Sequence, residues 1–130
     1  MPIATINPAT GETVKTFTPA TDDEVDAAIA RAHERFLDYR HSTTFAQRAE
    51  WANATADLLE KEADETGAMM TLEMGKTLKS AKGEALKCAK GFRYYAENAE
   101  KLLADEPADA GKVGAKRAYT RYQPSGWCWP

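Results

Sequence analysis

The sequence predicts a mainly α-helical chain of about four helices flanked by short β arms. Three observations carry that reading. The six prolines fall at positions 2, 8, 19, 107, 124 and 130 and leave 87 consecutive residues without one, so helices can run there unbroken. Two helix-start signatures, Thr21-Asp22-Asp23-Glu24 and Thr44-Phe45-Ala46-Gln47, open consecutive segments, each able to satisfy orphan backbone N–H groups reciprocally. Within those segments apolar residues recur at helical rather than alternating spacing.

Before the first helix, Asn7-Pro8-Ala9-Thr10-Gly11-Glu12 is a turn signal, and Val14 and Phe17 after it suit a short strand or hairpin. In the helix that follows, Val25, Ala28, Ile29, Ala32, Phe36 and Tyr39 form a narrow apolar stripe, which predicts that it packs on something. The second helix carries Trp51, Ala54, Thr55, Leu58 and Glu62 at helical spacing to about Glu65. Gly67 weakens the continuation, so a short third helix is expected over 68–74, stopped by Gly75 in the left-handed C-terminal position. From Thr77 a long two-faced helix restarts. Leu78, Ala81, Ala85, Cys88, Ala89, Phe92, Tyr95, Ala96, Ala99 and Leu103 share one face, while Lys76, Lys79, Lys82, Lys87 and Lys90 share the other. Pro107 closes it, residues 105–114 read as a polar loop, and residues 113–123 change period to two, as an edge or intersubunit strand would.

At 130 residues, 43% hydrophobic and 28% charged, with a mean hydropathy of −0.57, the chain has globular rather than disordered composition. Its length is enough to bury roughly two thirds of its unfolded surface. A net charge of −3 offers no excess of cations for phosphates or an anionic bilayer, so neither nucleic acid nor membrane is an expected partner. The amino terminus lacks a basic region followed by an apolar run, and no stretch approaches a spanning helix; a cytoplasmic location is expected. Cys88 and Cys128 are far apart and match no metal-ligand spacing.

The candidate chemistry is sparse. Gly75-Lys76-Thr77 resembles the end of a phosphate-binding loop, but that motif needs a glycine five residues earlier, where Met70 stands. Cys88 lies mid-face on the long helix and is expected to be an inert buried thiol. Cys128 has no framing base. His33 borders the first stripe and His41 falls in the following loop, with no convergent carboxylates to make a metal site. The lysine stripe, interleaved with Glu84 and Glu97, reads as a solvated face. Met69, Met70 and Met74 read as gap-fillers. Residue chemistry alone assembles no active site.

Four segments nevertheless carry a resemblance. Ile6-Asn7-Pro8-Ala9-Thr10-Gly11-Glu12, Thr71-Leu72-Glu73-Met74-Gly75-Lys76, Lys87-Cys88-Ala89-Lys90-Gly91-Phe92-Arg93-Tyr94-Tyr95-Ala96 and Tyr119-Thr120-Arg121-Tyr122-Gln123-Pro124, in that order, resemble the N-terminal quarter of the NAD(P)-dependent aldehyde dehydrogenases. The resemblance covers residue 3 to about residue 126 and is strongest to the branch acting on succinic semialdehyde. It implies an α/β parent with a Rossmann-like cofactor domain, a catalytic domain and an oligomerisation strand. It also implies thiolate attack on the aldehyde, hydride transfer to NADP+ or NAD+, and hydrolysis of the thioester by water that a glutamate activates. Those catalytic residues lie downstream in the family, so no catalytic, cofactor-binding or metal-binding role passes to any residue here, and no cofactor is expected for this chain alone. Residues 113–123 correspond to the oligomerisation strand, with Arg117, Tyr119 and Arg121 as its candidate contact residues.

Where the family continues as a buried strand, this sequence reads Ser125-Gly126-Trp127-Cys128-Trp129-Pro130. Residues 1–126 are therefore expected to be the N-terminal part of an aldehyde dehydrogenase domain, and 127–130 an aberrant end left by truncation or frameshift; excision would account for the early stop but not for the altered last residues. With those partners missing, Val25, Ile29, Phe36, Trp51, Leu58, Phe92 and Tyr95 are expected to bury against one another, with marginal stability. Two functions follow: a truncated aldehyde dehydrogenase that is inactive alone, or a non-catalytic helical module that self-associates or joins a full-length subunit through residues 113–123.

Overall fold

The computed structural model describes residues 3–126, so the expectation for 127–130 lies outside the described residues. Strands β1 (Ile3–Ile6) and β2 (Thr13–Phe17) form an antiparallel hairpin, pairing Ile3 with Phe17 and Ile6 with Thr13 across an irregularity at Thr5/Ile6. Its turn is built on Asn7. The Asn7 N–H donates to the Glu12 carbonyl at 2.9 Å, its own carbonyl accepts from Gly11 N–H at 2.8 Å, and its side-chain oxygen accepts from Ala9 N–H at 2.9 Å. Gly11 at φ +76° closes the loop in a region that L side chains avoid.

Helices α1 (Asp22–Ser42) and α2 (Phe45–Lys61) begin at the two predicted signatures. Thr21 N–H donates to Glu24 at 2.8 Å while Glu24 N–H donates to the Thr21 hydroxyl at 3.2 Å. Thr44 and Gln47 repeat the exchange at 2.9 and 3.2 Å. The two helices are longer and shorter, respectively, than the sequence implies. His41 belongs to the last turn of α1 rather than to a loop, and α2 ends at Lys61, where Glu62 bends the chain into α3 (Ala63–Met74). Gly67 therefore lies inside α3 rather than before it. Gly75 terminates α3 at φ +69°, its N–H returning to the Thr71 carbonyl at 3.0 Å, as its position predicts. Helix α4 (Leu78–Leu102) follows, about 37 Å long at 1.5 Å per residue.

The packed centre is α4 against α2 and α3. Its buried apolar side chains among the described residues are all alanines: Ala56 on α2, Ala63 on α3, and Ala81, Ala85 and Ala89 on α4. The α4 alanines recur every four residues and so lie along one seam, while Gly67 on α3 is also buried. Small side chains let the helix backbones approach closely but remove little apolar area from water. The large apolar residues do not bury against one another as expected. Trp51 is 52% and Tyr95 62% exposed; Val25, Ile29, Leu58 and Phe92 are also exposed, and Phe36 is half-buried. Helix α1 buries no residue at all. Its contacts gather at its C-terminal end, where the Tyr39 and Trp51 rings stand 6.2 Å apart and the Arg48 guanidinium lies 4.5 Å over Tyr39.

The accessible surface is 10577 Å², against about 6,800 Å² for a self-contained monomer of 14.3 kDa. About half of the unfolded surface is buried, rather than the two thirds that length allows. The reason is geometric: three helices share one seam, and the other faces have no facing layer among the described residues.

Beyond α4 the predicted strand is shorter than expected and has an unforeseen partner. Residues 111–113 form a 3-10 turn ending at Gly114, φ +66°, and only β4 (Ala118–Thr120) is extended. It pairs antiparallel with β3 (Glu106–Ala108), which the sequence reads as loop, matching Glu106 with Thr120 and Ala108 with Ala118. Pro107 sits opposite Tyr119; a proline is tolerated because a two-stranded ribbon is all edge.

Candidate functional site

The groups with the most distinctive arrangement surround β4. Arg117, Tyr119 and Arg121 alternate along the chain, so they project from one face. The Tyr119 ring is flanked by both guanidiniums, at 4.6 Å from Arg117 and 4.8 Å from Arg121, favourable placement for a cation over a π-face. Asp105, just after α4, holds Arg121. Arg121 donates to its two carboxylate oxygens at 2.8 and 2.6 Å, and Arg117 stands 3.9 Å away. The hydrogen bonds from Arg121 hold the Asp105 carboxyl below the usual carboxylate range and raise the already high guanidinium pKa. Across the ribbon, Tyr122 donates its hydroxyl to Glu106 at 3.0 Å, which favours the protonated phenol and raises its pKa. The second edge of β4 pairs with no strand among the described residues. This face thus carries a guanidinium fixed by a carboxylate, a second guanidinium on the other side of the tyrosine ring, and the backbone groups of a strand edge.

A second set of charged contacts ties the helices. Arg93 on α4 reaches both Asp57 and Glu60 on α2, each at 2.7 Å, and those hydrogen bonds raise its pKa further. Lys82 pairs with Asp64 at 2.7 Å, and Lys76 with Glu84, whose pKa is lowered by the lysine's hydrogen bond and charge. Two of the lysines expected on a solvated face are thus spent on holding helix ends. These partners lie 8 to 36 residues from their lysine or arginine in sequence, and no local motif marks them.

Cys88 departs from expectation: it is exposed, not buried. The apolar face of α4 is wider than the alanine seam that α2 and α3 fill, and Cys88 falls outside that seam. Both histidines sit on α1, away from it in the chain, so no base is paired with the thiol by a shared element. Among the described residues no group of three or more His, Cys, Asp or Glu side chains converges as a metal site, and no helix is long and apolar enough to cross a membrane. A cleft of about 700 Å³ opens between the α1–α2 turn and residues 122–124, with Arg40, His41, Arg48 and Glu100 on its walls.

The sequence profile of the Aldehyde dehydrogenase family matches residues 1–129. The chain belongs to that family. It is 90% identical over 126 residues to a succinate-semialdehyde dehydrogenase [NADP(+)] of Mycobacterium avium (strain 104), covering 97% of this chain and 27% of the relative. It is 84% identical, over the same share, to succinate-semialdehyde dehydrogenase [NADP(+)] 1 of Mycobacterium tuberculosis (strain ATCC 25618 / H37Rv). The chain thus spans about a quarter of the length of the curated aldehyde dehydrogenases it matches. Among solved structures, succinic semialdehyde dehydrogenase from Streptococcus pyogenes, crystallised with NADP+ as the cofactor, superposes with a TM-score of 0.82 at 30% identity, covering 90% of this chain and 25% of that one. A second structure, described as giving insight into cofactor and substrate selection by Gox0499, superposes at 0.86 with 28% identity, covering 95% and 26%. The aldehyde dehydrogenase resemblance read from the four sequence segments is therefore correct, as is a mainly helical piece of an α/β family.

Proposed function

We propose that this sequence is part of a subunit that oxidises an aldehyde, succinic semialdehyde, to its carboxylic acid with NADP+ as hydride acceptor, and that the 130 residues alone do not turn over. The observation that carries the reading is 90% identity, over 97% of the chain, to a relative bearing that activity in its name. Physical chemistry supports the second half. An acyl-transfer site needs a thiolate with a base in reach and a donor pair for the oxyanion. Cys88 stands exposed on a helix whose neighbours are held by carboxylates and cations already paired with each other. The test is NADPH absorbance on mixing the purified chain with NADP+ and succinic semialdehyde, beside a full-length relative as positive control. No signal above background is expected, and sustained reduction overturns the claim of inactivity.

A second reading has its own observation, the edge of β4 that pairs with no strand among the described residues, with Arg121 held by Asp105 and Tyr119 between Arg121 and Arg117. On it the chain associates with itself or with a full-length subunit by strand addition. Tagged chain co-expressed with an untagged full-length relative is expected to retain it on an affinity column, and Thr120→Pro to abolish retention. Equal retention of the variant counts against strand addition.

A further inference from the structure

We draw no further inference here: the strongest candidate, the cleft between the α1–α2 turn and residues 122–124 with Arg40, His41 and Arg48 on its wall, carries nothing, because its arginines are already engaged by His41, Thr43 and the rings of Phe36, Tyr39 and Phe45 and nothing in the structure shows what covers its open side.

Discussion

Gly67 on α3 lies directly under Lys82 on α4, so that a methyl group placed on Gly67 would stand 2.7 Å from the Lys82 Cγ and 3.2 Å from its backbone nitrogen. The obstruction is the root of the lysine side chain and its backbone, not a movable tip. Replacing glycine inside a helix by alanine normally gains up to about 1 kcal/mol. Here overpacking, typically about 1–3 kcal/mol, outweighs that gain. Gly67→Ala is expected to lower the thermal midpoint followed by circular dichroism, whereas Gly83→Ala, where a methyl meets nothing within 4 Å, raises it.

The two helix caps have unequal support. Helix α2 packs along α4, whereas α1 buries no residue. Losing a threonine cap costs about 1 kcal/mol. Thr21→Ala is therefore expected to fray α1 and reduce helical ellipticity at fixed temperature, while Thr44→Ala chiefly shifts the unfolding midpoint. Equal loss of ellipticity in both variants would show that α1 is held by more than its cap.

Acid should loosen both the ribbon end and the start of α4. Asp105 has its pKa lowered in the folded chain by Arg121, and Glu84 by Lys76. A carboxyl whose folded pKa is depressed contributes stability that is full above its ordinary value, near 4, and disappears as pH falls through the folded value. Stability is thus expected to fall below about pH 4. Asp105→Asn should be less stable than the parent at neutral pH and converge with it in acid. A constant difference at every pH refutes the linkage.

Exposure of Cys88 gives a chemical readout. In a Cys128→Ser background, the remaining thiol is expected to react with a maleimide in native buffer within about tenfold of its rate in urea, since accessibility sets the rate once the thiolate fraction is fixed. Protection by a hundredfold or more would place the thiol in a packed interface.

What could be read from the sequence divides along a physical line. The Thr21 and Thr44 caps, the Asn7–Gly11 turn and the Gly75 stop are local chemistry, satisfied by neighbours within five residues, and all four are present. Strand β3 was not legible because three residues including Pro107 carry no period; it exists only by pairing with β4. Likewise Gly67 reads as a break on propensity alone, yet contact with Lys82 makes it a packing site. Cys88 was misplaced because a helix's apolar arc shows what could be covered, not how much of it a neighbour covers. At the candidate site the Arg117, Tyr119 and Arg121 alternation is visible in the sequence, but Asp105, which fixes the Arg121 guanidinium, lies 16 residues from it.

The alanine seam also sets how sharply this chain can melt. Denaturant slopes and heat-capacity increments scale with the area newly wetted. With 10577 Å² already open to solvent, unfolding adds about three quarters of the area that a self-contained polypeptide of this mass would release. A calorimetric trace of the isolated polypeptide should accordingly be broad and its baseline step small, because a helix seam made of methyl groups leaves little apolar surface for heat to expose.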